Sequence, residues 1–401
     1  MPHDPRRIVE ALRDHLSRHD KPIALLFGAG TSAAPRTVGT NQPLVPSIAA
    51  LTALCATAVA QLGAKYEAAW NQIAAESLAV DGDAFIESIL SRVRLKVDAV
   101  GAGESLAGLT RDELLAVQDG IQQAIARAVQ PAEVDIPADL PHHALARWLG
   151  RMTRQRPVEI FTTNYDVLIE RALEDERIPT FDGFVGGYRP FFSPESLAQA
   201  ESAPAPSWAR LWKIHGSVNW HWLEVRGVRR IVRTEPSLSG ELILPSYEKY
   251  EESRKQPYVA ILDRLVRFLA QDDALVVTVG YSFGDQHIND VLFEALGQPS
   301  RTHLVALQFA DPADGSALAV AASRRANVEA LGPEKSWIGG VASEWRLNEP
   351  ITNATARFMD VAFDSDATPD PDEAALTGRF MLGDFDRFCR FLETMSLASR
   401  P

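Results

Sequence analysis

Four short patches hold the residues best suited to chemistry: Gly28-Ala29-Gly30-Thr31-Ser32, Thr162-Thr163-Asn164-Tyr165-Asp166, His215-Gly216-Ser217 and Gly280-Tyr281-Ser282-Phe283-Gly284-Asp285. In the first, Gly28-x-Gly30-x-x-Ala33 lies between a strand-like run and a helix. Small residues there let a backbone approach a pyrophosphate, whose charge the helix amides and dipole favour; a plain tight turn reads the same way. In the second, the amide of Asn164 and the carboxylate of Asp166 can hold a ribose while an oxocarbenium-like centre forms at its C1. Carboxylates serve such sugar chemistry beside a glycosidic bond; a helix N-cap is the alternative for either residue. In the third, His215 has a pKa suited to a base near neutrality, although a lone histidine also serves as a packing residue. In the fourth, Gly280 permits close backbone approach, Ser282 can donate to a phosphate or ribose, and Asp285 can cap the next helix.

Each patch ends an apolar, strand-like run: 22–27, 158–161, 210–214 and 274–279. In an open α/β sheet that spacing puts all four along the carboxyl edge, where such folds bind ligands. The run 274–279 is the most β-prone and predicts a central strand; 303–309 predicts another. Helices are predicted near 5–19, 165–174, 256–270, 287–297 and 383–397. Between about 35 and 155 Ala, Leu, Gln and Glu dominate, with apolar residues recurring at three and four. That spacing predicts helices near 47–63, 66–79, 83–97, 110–129 and 141–151, with Ser47 and Asp83 as N-caps. Residues 176–209 read as a long loop, and 218–233 as a hairpin turning at Arg226-Gly227. Past about 311 the signal weakens, and the acidic stretch through Asp364, Asp366, Asp370, Asp372 and Glu373 reads as a mobile loop. The expected fold is α/β: a Rossmann-like parallel sheet with a large helical insertion, a C-terminal α/β extension and no zinc module. The expected organisation is a core from 1–34 and 156–310, an insertion over 35–155, and an extension over 311–401 that serves assembly.

Bulk composition narrows the field. The 401 residues are 46% hydrophobic and 23% charged, the balance of a globular protein with room for two or three units. The net charge of −13 argues against nucleic acid held by the whole surface; Arg226, Arg229, Arg230 and Arg233 are a local exception, read as the face of a hairpin. Cys55 and Cys389 are the two cysteines, which excludes a disulfide framework and a four-cysteine zinc site and makes both packing residues. No histidine pair has metal-ligand spacing; His142 and His143 read as surface residues and His221 as structural. No apolar run approaches the roughly 20 residues of a membrane span, and no secretory signal opens the chain, so a reduced cytoplasmic setting is expected. No Asp or Glu stands between Thr31 and Glu67, so the ribose-binding acid of an ordinary dehydrogenase, roughly 20 residues past the glycines, is missing.

Taken in order, the patches resemble the sirtuin family: a G-A-G-x-S loop, a T-x-N-x-D segment, an H-G-S turn and a later glycine–serine loop. The resemblance implies NAD+ as substrate. Gly28, Ala29, Gly30, Thr31 and Ser32 would contact the pyrophosphate, and Asn164 and Asp166, with Thr163 beside them, the nicotinamide ribose. His215 would be the base, with Gly280 and Ser282 on the adenosine side. The four-cysteine module of the deacylating members is absent, as is their G-I-P-D-F-R stretch, while the NAD+ motifs are intact. The pattern is similar to the bacterial sirtuin-like NAD+ hydrolases of anti-phage defence, which cleave the nicotinamide–ribose bond. Size and the lack of an evident sensor domain resemble the subunit that pairs with a HerA-type ATPase, which implies a homo-oligomer switched on by assembly. A non-enzymatic NAD+ or ADP-ribose sensor, and a protein deacylase or ADP-ribosyltransferase, are the alternatives.

Overall fold

The computed structural model describes residues 2–81, 84–198, 204–237, 256–297, 302–347, 351, 355–366 and 376–398. Asp4 caps α1 (Pro5–Ser17), whose Val9, Leu12 and Leu16 turn inward at helical spacing. The strand β1 (Ile23–Phe27) is buried throughout, as a parallel strand covered on both faces must be. Its side chains alternate. Ile23, Leu25 and Phe27 join one core, and Ala24 and Leu26 join a second on the opposite face.

After β1 the chain makes the short α2 (Ala29–Ala33) and then α3 (Ile48–Ala60), α4 (Ala64–Asp81), α5 (Ile86–Ala99) and α6 (Arg111–Ala128). These last four pack around a separate core that includes Cys55, Ile73, Ile89, Val117 and Ile121. Ser47 caps α3 through the Ala50 amide, as expected, and Thr110 and Glu113 form a capping box on α6; Asp83 lies outside the described residues. The helix α7 (Pro141–Arg151) is different. Its Leu145, Ala146 and Trp148 belong to the sheet-face core with α1, so it is the crossover that returns the chain to the sheet.

The chain continues through β2 (Val158–Thr162), α8 (Leu168–Asp175), β3 (Thr180–Phe181), β4 (Phe184–Val185), β5 (Phe191–Phe192), α9 (Pro194–Ala198), β6 (Ala209–Lys213), β7 (Trp220–Val225) and β8 (Val228–Arg233). Residues 176–209, expected as one loop, thus hold three short strands and a helix. Phenylalanines alternating with Gly and Pro anchor them, and β4, β5, β8 and β7 form a small antiparallel sheet. Its hairpin turns at Arg226 (φ 54°) and Gly227 (φ 75°), as expected, with both central residues left-handed. Arg229 stacks on Trp222, Arg230 on Phe191 and Arg233 on Phe184.

Then follow α10 (Tyr258–Leu269), β9 (Leu275–Val279), α11 (Gln286–Gly297), β10 (His303–Leu307), α12 (Ala317–Arg324), β11 (Val328–Leu331), β12 (Lys335–Ile338), β13 (Val341–Glu344), α13 (Ala356–Ala362), β14 (Phe363–Ser365), β15 (Gly378–Phe380) and α14 (Phe385–Ala398). The sheet therefore runs on past residue 310. Asp364, expected in a mobile loop, sits in β14 and pairs with Arg387 at 3.1 Å; Asp370, Asp372 and Glu373 lie outside the described residues.

The strands line up as β13-β12-β11-β10-β9-β1-β2-β6-β3, with β9 in the middle as expected. From β11 to β3 every pairing is parallel; β12 and β13 add an antiparallel edge. This is a Rossmann-like α/β fold. Chain order reverses between β1 and β9, so their carboxyl ends form the topological switch point where such sheets bind ligands. Gly28 and Gly280 follow those two ends and touch. A Cβ at Gly28 would lie 2.5 Å from the Gly280 oxygen; one at Gly280 (φ +64°) would lie 2.6 Å from the Thr31 nitrogen. Gly280→Ala is expected to lower stability by about 2 kcal/mol or more, whereas Gly187→Ala, with nothing within 4 Å, changes it little. Denaturant midpoints of the two variants check this.

Candidate active site

The glycine turn is built from its own amides. Gly28 N–H donates to the Val279 carbonyl (3.2 Å), Gly30 N–H to Gly280 (3.0 Å) and Thr31 N–H back to Gly28 (3.0 Å). Two donors expected to face a pyrophosphate, at Gly30 and Thr31, are thus engaged inside the turn. Ala29 and Gly30 form its exposed surface, while Thr31 and Ser32 are buried. Ser282 is exposed on the opposing loop, where its Oγ accepts from Gly284 N–H at 3.3 Å.

Beneath this rim lies the loop after β2. Thr163 is half-buried, its N–H donating to the Phe27 carbonyl (3.1 Å). Asn164 is buried, and its Nδ2 donates to the Gly28 carbonyl (3.1 Å), Thr31 Oγ1 (3.0 Å) and Ser32 Oγ (2.7 Å). The amide nitrogen thereby stitches the two loops together, and no described residue hydrogen-bonds its Oδ1. Asp166 is buried too. One carboxylate oxygen accepts from Ser32 Oγ (2.7 Å) and the other from the Leu168 N–H (3.1 Å) at the start of α8. Asp166 therefore both orders the helix and fixes Ser32.

His215 lies in the turn just after β6 and is 3% exposed. Its Nε2 is 2.9 Å from Asp285 Oδ2, and its Nδ1 is 3.7 Å from Glu87 Oε1 on α5. Burial disfavours the imidazolium, but the Asp285 hydrogen bond and the charges of Glu87 and Asp285 outweigh it, so the pKa is raised above 6.5. Burial works against the Asp285 carboxylate as well, yet His215 holds it down at about 2. Asp285 Oδ1 accepts from the His287 (2.9 Å) and Ile288 (3.2 Å) amides. The expected helix cap is present, and the same carboxylate also grips the histidine. Tyr165, between Asn164 and Asp166, has its ring centroid 6.3 Å from that of His215.

Two residues and one pairing escaped the sequence reading. Pairing of Asp285 with His215 spans 70 positions and has no local signature. Glu87 is one acid among several on an amphipathic helix. Lys213 is the exception, because a lysine closing an apolar strand is a legible anomaly. It is buried, and its Nζ donates to the Asp166 and Tyr165 carbonyls and to Glu170 Oε1 (2.9 Å), pinning the Asn164–Asp166 loop from below. His142 and His143, expected at the surface, are buried because the start of α7 faces the core. Burial pushes His142 down to about 4; His143 Nδ1 accepts from the Leu140 N–H (2.8 Å) and its Nε2 meets Asp175 (3.1 Å). Cys55 and Cys389 are buried as expected, and burial pushes the Cys55 thiol up to about 12.

Three of the four loops around the switch point fall within residues 158–330, which match the model of the SIR2-like domain. That stretch of the chain is sirtuin-like. The SIR2-like match begins after the glycine turn and the four-helix insertion, which the sheet nevertheless joins to it through β1. No curated protein matches the chain. A SIR2-like domain points to NAD-related chemistry in general. Among the described residues no cluster suited to a metal ion occurs, and no helix is long and apolar enough to cross a membrane.

The dyad has a pH signature. His215 has its folded-state pKa above 6.5, so its contribution to stability is whole below pH 6.5 and drains as pH rises through the folded value. Asp285 contributes above about pH 4 and loses that contribution as pH falls toward 2. Asp285→Asn is expected to lower the His215 titration midpoint by about one unit and to remove the alkaline decline in stability. NMR titration of the histidine ring checks this, and an unchanged midpoint contradicts the pairing.

Proposed function

We propose that the SIR2-like domain splits the bond between nicotinamide and ribose in NAD+, yielding nicotinamide and ADP-ribose or its cyclised form. The observation that carries the reading is the convergence of a buried amide, a buried carboxylate and a carboxylate-paired histidine at one switch point. Nicotinamide departs neutral, taking the bond's electron pair, and leaves positive charge on the ribose C1. In hydrolysis the oxygen of a water attacks that carbon, and its proton passes to His215 and then to solvent. The Oδ1 of Asn164, which no described residue hydrogen-bonds, is suited to hold the attacking water or a ribose hydroxyl. The Asp166 carboxylate, fixed by Ser32 and Leu168, supplies negative charge that favours the cationic centre in a site of low dielectric. Ala29, Gly30 and Ser282 offer the outer surface along which the rest of the dinucleotide lies. Holding both reactants in place accounts for much of the expected acceleration.

Such an activity fits NAD+ depletion in anti-phage defence, with a homo-oligomer and a HerA-type ATPase as the activating partner. The burial of His215 supports a resting site that assembly must open. That same burial favours one other reading, a sensor that binds NAD+ without cleaving it. Nicotinamide release, measured for the protein alone and with such an ATPase, separates the two. His215→Ala is expected to lose about 10²–10⁴-fold in rate, the span of a general base, and Asn164→Ala at least about tenfold. Full NAD+ affinity with no release under either condition would favour the sensor.

A further inference from the structure

We propose that Glu87, carried by the helical insertion, belongs to this active site: Glu87 and His215 Nδ1 together receive the vicinal hydroxyls of a ribose. The inference rests on the NAD+ reading and names how the substrate's sugar is held. The two nitrogens of His215 are not equivalent. Nε2 is committed to Asp285, which is itself anchored on two amides of α11 and has a side chain 16% exposed. Nδ1 is buried and has no hydrogen-bond partner, an arrangement that a folded protein tolerates where a ligand completes it. Glu87 Oε1 faces that nitrogen at 3.7 Å, too far for a direct hydrogen bond. Two acceptors at this spacing suit a cis-diol, one hydroxyl donating to the imidazole and its neighbour to the carboxylate. The Glu87 side chain is 37% exposed, so of the two carboxylates on His215 it is the one a ligand reaches.

A ribose-binding acid is the element missing after the glycine turn, where no Asp or Glu stands between Thr31 and Glu67. Nucleotide sites in related sheets hold ribose hydroxyls on just such a carboxylate. Here α5 delivers it from outside the sheet, beside Tyr165 and Val218, whose side chains pack into the insertion's core. The proton-abstracting atom is then Nδ1, with Asp285 orienting the ring from behind. The charged groups acting on His215 are Asp285 and Glu87. Around them, burial keeps the Tyr165 and Tyr281 phenols protonated, Tyr258 and Arg94 act on Tyr165, and His287 acts on Asp285.

The test is Glu87→Gln in the full chain, read by NAD+ affinity in calorimetry and by the His215 ring titration in NMR. The expected result is affinity weakened about tenfold and a lower titration midpoint. With an NAD+ analogue lacking one hydroxyl of the nicotinamide ribose, the substitution should cost less affinity than with NAD+ itself. Glu87→Asp, with the charge kept on a shorter arm, should restore the midpoint more than the affinity. Unchanged affinity together with an unchanged midpoint overturns the assignment. Neither readout needs turnover, so nicotinamide release by the unaltered protein decides the hydrolase reading separately.

Discussion

Everything at the carboxyl edge depends on two backbones in direct contact. Gly28 and Gly30 after β1 meet Gly280 after β9 with no room for a Cβ on either side. The hydrogen bonds from Gly28 to Val279 and from Gly30 to Gly280 close that contact. Central strands of a parallel sheet normally diverge into separate loops; here the two loops at the switch point become one floor. Asn164 then crosses from the third strand end and bonds to the turn at the Gly28 carbonyl, Thr31 and Ser32. Side chains and backbone thereby fix three strand ends relative to one another, the rigidity that a site requires if its groups are to be held within a fraction of an ångström.

A second constraint is electrostatic. The site buries His215, Asp166, Lys213 and Asn164, and burial of a charge without a partner is costly. Each charge has one: His215 with Asp285, Lys213 with Glu170 and two carbonyls, Asp166 with a hydroxyl and an amide. The consequence for chemistry is that two carboxylates, Asp285 and Glu87, favour the imidazolium over what burial alone would allow. Under the proposed function His215 acts as a base in its neutral form, which would tie that activity to pH and to the position of Glu87. Because Glu87 belongs to the insertion, a movement of that four-helix block is felt at the imidazole without passing through the sheet.

Much of this was legible in the residues. Fully apolar runs such as Ile23–Phe27 and Leu275–Val279 announced buried parallel strands, and the glycines after them marked the switch point. Small and polar residues at strand ends marked the loops that converge. Three kinds of feature were not legible. Short strands such as Thr180–Phe181 and Phe191–Phe192 are set by aromatic packing across the sheet rather than by periodicity. The strands β11 to β13 carry mixed polar patterns because they approach a sheet edge. Long-range pairs, Asp285 with His215 and Glu87 with His215, depend on which loops meet in space. His142 on α7 escapes for the same reason: a helix start reads as exposed until the partner that covers it, Phe385 on α14, is known.

The most direct measurement is a crystal structure of His215→Ala protein with NAD+ bound. The account predicts the diphosphate over the exposed Ala29–Gly30 backbone and the nicotinamide ribose between Asn164 Oδ1 and the space vacated by the imidazole. NAD+ bound away from the ends of β1 and β9, or with its nicotinamide end turned from Asn164, would contradict it.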